Sequence, residues 1–115
     1  MTIRRIGSNH RMSEAVVYGN MVYLAGQVAK DASQSITGQA EQVLAGIDAL
    51  LAEAGTDKSK ILTATVWLTD MGDFAAFNKV WDAWVDQKNP PARACVQSPL
   101  VLPDWKLEIQ LSAAV

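Results

Sequence analysis

Asn89-Pro-Pro-Ala-Arg-Ala-Cys-Val-Gln97 decides how this chain is organised. Two consecutive prolines cannot continue a helix, and they push the residue before them towards extended geometry. The residues after them read as a strand. Side chains alternate along a strand, so Arg93, Cys95 and Gln97 share one face and Ala92, Ala94, Val96 and Ser98 the other. A guanidinium in an otherwise apolar strand needs an anionic or carbonyl partner. Either the chain supplies one, through a glutamate or strand carbonyls, or a ligand does.

Working outward, Phe74, Phe77, Trp81, Trp84 and Val85 form one helical stripe before the prolines, with Asp73 placed to cap its start. Such a stripe reads as core between helix and sheet. Asp70-Met-Gly-Asp73 is the turn into it. Ahead of that turn, Ile61 to Thr69 is a β-branched strand. Leu62, Ala64, Val66 and Leu68 form its apolar face, opposite Thr63, Thr65, Trp67 and Thr69. Downstream, Pro99 to Pro103 is a connection. Trp105 to Ala113 is a closing strand, with Leu107, Ile109, Leu111 and Ala113 on one side and Lys106, Glu108, Gln110 and Ser112 on the other.

The first half of the chain is simpler. Ile3 to Ile6 is a short strand ended by Gly7, and Asn9 to Ser13 is a polar loop whose only apolar residue is Met12. Ala15 to Tyr18, the turn Gly19-Asn20 and Met21 to Val28 make a hairpin. Gly26 inside the returning strand marks a bulge or a place where a ligand approaches the backbone. After a polar loop, the period changes. Ile36, Ala40, Val43, Leu44, Ile47, Leu50, Leu51 and Ala54 follow helical spacing, with Ser35 or Thr37 as cap and Gly55 as stop. Gln39, Gln42, Asp48 and Glu53 are expected on the exposed side of this helix.

The order is strand, hairpin, helix, strand, helix, strand, strand. Two helices cover only one face of a sheet of about six strands, so the fold class is α+β. The second face is expected to carry Tyr23, Trp67, Cys95 and Arg93, and a half-apolar uncovered face suggests burial against other subunits.

Composition narrows the function. Residues 1–115 fit one domain, and half are hydrophobic. Ten basic residues against twelve acidic ones, with no basic run, argue against nucleic-acid binding. A single cysteine excludes an intramolecular disulfide, and one cysteine with one histidine is a poor basis for a structural zinc site. There is no stretch of about 18 apolar residues to span a membrane. The start of the chain carries no apolar signal region, so the expected compartment is the cytoplasm, with Cys95 reduced.

Gly19-Asn-Met-Val-Tyr-Leu-Ala-Gly-Gln27, Leu51-Ala-Glu-Ala-Gly55 and Lys60-Ile-Leu-Thr-Ala-Thr-Val-Trp-Leu-Thr-Asp70 resemble segments of the Rid (YjgF/RidA/RutC) family. So do Asp73-Phe-Ala-Ala-Phe-Asn78, Pro91-Ala-Arg-Ala-Cys-Val96 and Lys106-Leu-Glu-Ile109. The likeness keeps its order over nearly the whole chain. Trp81-Asp-Ala-Trp-Val85 and the Met1-Thr-Ile3 start point to the YoaB-like branch. The resemblance implies a chorismate-mutase-like fold and a homotrimer. Its sheets would form a central barrel, with sites in clefts between subunits. It also implies hydrolysis of reactive enamines and imines, such as 2-aminoacrylate, to 2-oxo acids and ammonia. The resemblance implies no metal and no organic cofactor, and it implies a role in metabolite damage control.

By the same resemblance, Arg93 binds the substrate carboxylate and Glu108 positions the attacking water. Gly26, Asn78 and Cys95 line the pocket. Where RidA has an early-loop tyrosine, this chain has Met12. Where RidA has a serine before the strand glycine, it has Ala25. Both changes remove hydroxyls from the expected pocket. Other readings of these residues stand beside this one. Glu108 could instead pair with Lys106 or Arg93. Cys95 has no histidine partner in view, since His10 sits in the N-terminal loop, and it reads as pocket wall rather than nucleophile. The alternative to an enzyme is a trimer that binds a small carboxylate metabolite or a partner protein without turnover.

Overall fold

The computed structural model describes residues 1–115. Six strands and two helices form: β1 (Ile3–Ile6), β2 (Ala15–Tyr18), β3 (Met21–Leu24), α1 (Ile36–Glu53), β4 (Ile61–Leu68), α2 (Phe74–Trp84), β5 (Ala92–Gln97) and β6 (Leu107–Ala114). The strands make one mixed sheet in the order β1-β2-β3-β6-β4-β5. Only β4 and β5 are parallel, joined by α2 as the crossover. This is the α+β architecture that the order of elements predicts.

The core lies between the helices and one sheet face. Val22, Val43, Ile47, Leu51, Val66, Phe77, Ile109 and Ala113 are all part of it. On β6 burial alternates: Leu107, Ile109, Leu111 and Ala113 are buried, as their spacing requires. On β4 the alternation holds for Ala64, Val66 and Leu68 but fails at Leu62, which is 46% exposed. The register against β6 slips between Ile61 and Thr63, so Ile61 takes the core position expected of Leu62. A bulge shifts the alternation by one residue, and nothing in a run of β-branched residues announces it.

α1 begins as expected at Ser35, whose Oγ accepts from Gly38 N at 3.2 Å. α2 begins differently. Asp73 occupies the capping position without a capping bond, and the preceding Met71–Asp73 turn is held by Asp70, whose Oδ1 accepts from Gly72 N.

Gln39 is not on the exposed side of α1. It is fully buried. Its Nε2 donates to the carbonyls of Ala32, Gln34 and Asp104, each at 3.1 Å, and its Oε1 accepts from Lys106 N at 3.0 Å. One side chain thus ties α1 to the loop before it and to the entry into β6. Gln39→Leu keeps the volume and strands four backbone groups. An unsatisfied buried group costs about 1–3 kcal/mol, so a loss of about 3 kcal/mol is expected. That is a large share of the roughly 5–15 kcal/mol of a typical domain. Urea unfolding at one fixed chain concentration checks it; a midpoint unchanged from wild type would show the network to be dispensable.

Candidate functional site

Cross-strand partners share a sheet face, so the register locates each candidate residue. Arg93 pairs with Ala64 and Cys95 with Val66, both buried under the helices. Arg93 and Cys95 therefore lie on the helix-covered face, not the open face where they were expected. Alternation shows which residues travel together, but not which way they point. Tyr23 and Trp67 do take the open face, with Tyr23 paired to Ser112 and Trp67 to Glu108.

The candidates fall into two groups. In the first, the Arg93 guanidinium carbon lies 5.1 Å from the Trp81 ring centre and 5.8 Å from that of Phe77. Phe77 and Trp81 are thus both core and the bed of a cation, whereas Phe74, expected in the same core stripe, is 37% exposed at the start of the helix. Asn78 follows Phe77 on the same helix. Asn78 Oδ1 and Arg93 Nη1 are buried and have no hydrogen-bond partner. Cys95 stands two residues along the strand. Burial pushes its thiol up in pKa, and the nearby Arg93 charge only partly opposes this. A protonated thiol is a poor nucleophile, which suits a pocket wall.

In the second group, Glu108 rises from β6 on the open face and meets Gly26. Tyr23 pairs with Ser112, yet Gln27 bridges Ile109, so β3 carries one residue more than β6 between these points. Ala25 and Gly26 lie in that bulge, which ends regular pairing at Leu24 rather than at Val28. A Cβ on Gly26 would stand 2.8 Å from Glu108 Cδ and closer still to Oε2. The backbone of Gly26 is not in the left-handed region, so the glycine serves space rather than φ. Trp67, directly across from Glu108, shares the open face as expected, but the sequence assigned it no place in the site. Met12 lies 42% exposed on the turn held by Asn9, whose Oδ1 accepts from Met12 N.

The two groups sit on opposite faces of one sheet. An ion pair between Arg93 and Glu108 of the same chain does not form. Two surface depressions, of about 620 Å³ beside Pro99–Pro103 and about 800 Å³ between α1 and α2, include neither residue. No three His, Cys, Asp or Glu side chains converge as metal ligands. No helix is long and apolar enough to cross a membrane.

Comparison with known proteins places this arrangement. The family model described as Endoribonuclease L-PSP matches residues 2–115. The chain belongs to the YjgF/Rid family. It is 45% identical to a RutC family protein of Haemophilus ducreyi over 98% of this chain and 97% of that one. It is 44% identical to the RutC family protein YoaB of Escherichia coli over the full length of both. Among solved structures, the Rid chain is similar to NMB1025 of Neisseria meningitidis, a member of the YjgF family. The TM-score is 0.96 at 45% identity, over 99% of this chain and 95% of that one. The family expected from the motifs, and its YoaB-like relatives, are thus the ones found.

Proposed function

We propose that this Rid protein is a homotrimer whose sheets form a central barrel. In clefts between subunits it hydrolyses reactive 2-imino acids and their enamines to 2-oxo acids and ammonia. The observation that carries this reading is the division of polar groups between two faces. Arg93 and Asn78 keep buried polar atoms unsatisfied on one, while Glu108 stands against Gly26 on the other. β5 is an edge strand, and packing that edge, which carries Arg93, against another subunit's Glu108 face would complete a site that one chain leaves in halves. The open face favours such docking. It exposes Ile3 (46%), Tyr18 (48%), Tyr23 (51%) and Val96 (43%), an apolar exposure on one face that is unusual for a monomer.

The chemistry follows from the residues. Arg93 binds the substrate carboxylate through two parallel N–H···O bonds, fixing orientation as well as charge. Glu108 holds a water against the imine carbon and takes its proton as the C–O bond forms. The resulting carbinolamine collapses. Its nitrogen, protonated in turn, leaves as ammonia, and the C=O of the 2-oxo acid remains. An enamine first gains a proton at carbon to become the imine. Ribonuclease action, which the family's description names, has less support: a net charge of -2 does not draw RNA.

The test is hydrolysis of 2-aminoacrylate and bulkier imines, generated in situ and followed as lost semicarbazone formation. Wild type should suppress the semicarbazone. Glu108→Gln keeps the shape but cannot act as a base, and its kcat should fall about 10²–10⁴-fold. A well-folded wild type without turnover, yet binding 2-oxo acids, would shift the reading to a carboxylate-binding trimer. The loss of hydroxyls at Met12 and Ala25 is the feature that would then explain it. Light scattering at the mass of one chain would leave the cleft without its second wall.

A further inference from the structure

We propose that Asn78 reads the N–H of the bound substrate and so distinguishes a 2-imino acid from its 2-oxo product. This rests on the reading of Arg93 as the carboxylate anchor.

Two buried polar atoms lack partners on this side of the sheet, and they are of opposite kind. Arg93 Nη1 is a donor, and Asn78 Oδ1 is an acceptor. Asn78 comes from α2, and Arg93 from β5, which packs beneath that helix. Asn78 is next to Phe77 and three residues before Trp81 on α2, and the Arg93 guanidinium lies over those two rings. Elsewhere this chain satisfies its buried side-chain amide in full, as the four bonds of Gln39 show. Leaving a buried donor and a buried acceptor unpaired is costly, and a ligand that completes both recovers that cost. A ligand that reaches both must offer an acceptor to Arg93 and a donor to Asn78.

A 2-oxo acid has acceptors only. Its keto oxygen would face Oδ1 lone pair to lone pair. A 2-imino acid carries an N–H on the carbon next to its carboxylate, and 2-aminoacrylate carries two. Hydrolysis exchanges that nitrogen for oxygen, so the same atom that holds the substrate disfavours the product. A site built around a donor rejects the analogue that lacks it far more strongly than an apolar pocket rejects a misfit.

Pyrrole-2-carboxylate and 2-furoate are planar, nearly isosteric and differ in N–H against O at the atom beside the carboxylate-bearing carbon. Their binding to wild type, Asn78→Leu and Arg93→Ala is to be measured by calorimetry, with Asn78→Ala as a second variant should leucine disturb α2. Wild type should prefer pyrrole-2-carboxylate by about 10-fold or more. Both Asn78 variants should bring the ratio near unity by weakening that ligand alone, and Arg93→Ala should weaken both alike. Equal binding by wild type, or tighter binding of 2-furoate through a rotated amide, overturns the role of Asn78. So does an Asn78 variant that weakens both ligands equally. If those results come with dependence on Arg93, the carboxylate anchor stands. If neither ligand binds folded wild type, the anchor falls and this proposal with it.

Discussion

Arg93→Ala is expected to abolish turnover, with kcat/KM down by about 10³-fold or more, while the melting temperature hardly moves. The first half of this follows from two charge-assisted bonds to the carboxylate, each worth about 1.5–3 kcal/mol. The second half follows from the unliganded chain. Arg93 Nη1 is buried there without an acceptor, a desolvation that alanine removes. Alanine also forfeits contacts of the guanidinium with Phe77 and Trp81, at about 0.5–2 kcal/mol for such cation–π pairs. These terms oppose and are of similar size. A structural arginine behaves otherwise: its loss would lower stability, and activity only in proportion. Kinetics on 2-aminoacrylate beside thermal unfolding separates the two. Arg93→Lys keeps the charge but not the fork, and should recover only a small part of the activity.

Gly26→Ala is the second large effect, again with fold and activity parting company. The added methyl would meet the end of the Glu108 side chain, not backbone. A flexible carboxylate swings away at little cost, so the sheet survives. Alanine also restricts the unfolded chain, which adds up to about 1 kcal/mol of stability where the backbone accepts it. The displaced carboxylate no longer holds water over the imine carbon. Turnover should therefore fall by about 10²–10⁴-fold, matching loss of the base itself. Combining Gly26→Ala with Glu108→Gln should cost little more than either alone, because both remove one function. Wild-type turnover in Gly26→Ala would reduce Gly26 to a plain bulge and dissociate Glu108 from the chemistry. A lowered melting temperature would point to strain instead.

Residues that depart from their expected positions do so for physical reasons. The polarity of Gln39 argues for the exposed side, although it stands three residues after Ile36 and four before Val43, squarely on the buried stripe. Its spacing is the better guide. A buried amide becomes acceptable once four backbone groups reach it, and those groups come from as far along the chain as Asp104 and Lys106. Leu62 loses its core position to Ile61 through a one-residue slip in pairing with β6. The Gly26 bulge is among the expected readings, but its contact with Glu108 joins residues far apart in the chain.

By itself, the order of residues determined the elements, their sequence, the α+β class and the family. The elements and the class rest on local rules: prolines end helices, alternation makes strands, and a 3.6-residue period makes an amphipathic helix; the family rests on the resemblance of its motifs. It also named the chemically unusual residues, Arg93 and Glu108 foremost. The apolar alternation of β6 also set Glu108 opposite the core. Only the tertiary structure decided which sheet face Arg93 takes, because alternation in β5 is indifferent to direction. The choice is made by packing, where Ala64, Val66 and Ile109 must lie beneath α1 and α2, and strand pairing then carries Arg93 to the helix side and Glu108 to the open side. That division, a non-local consequence of burying one face of a sheet, is what separates the two halves of the proposed site.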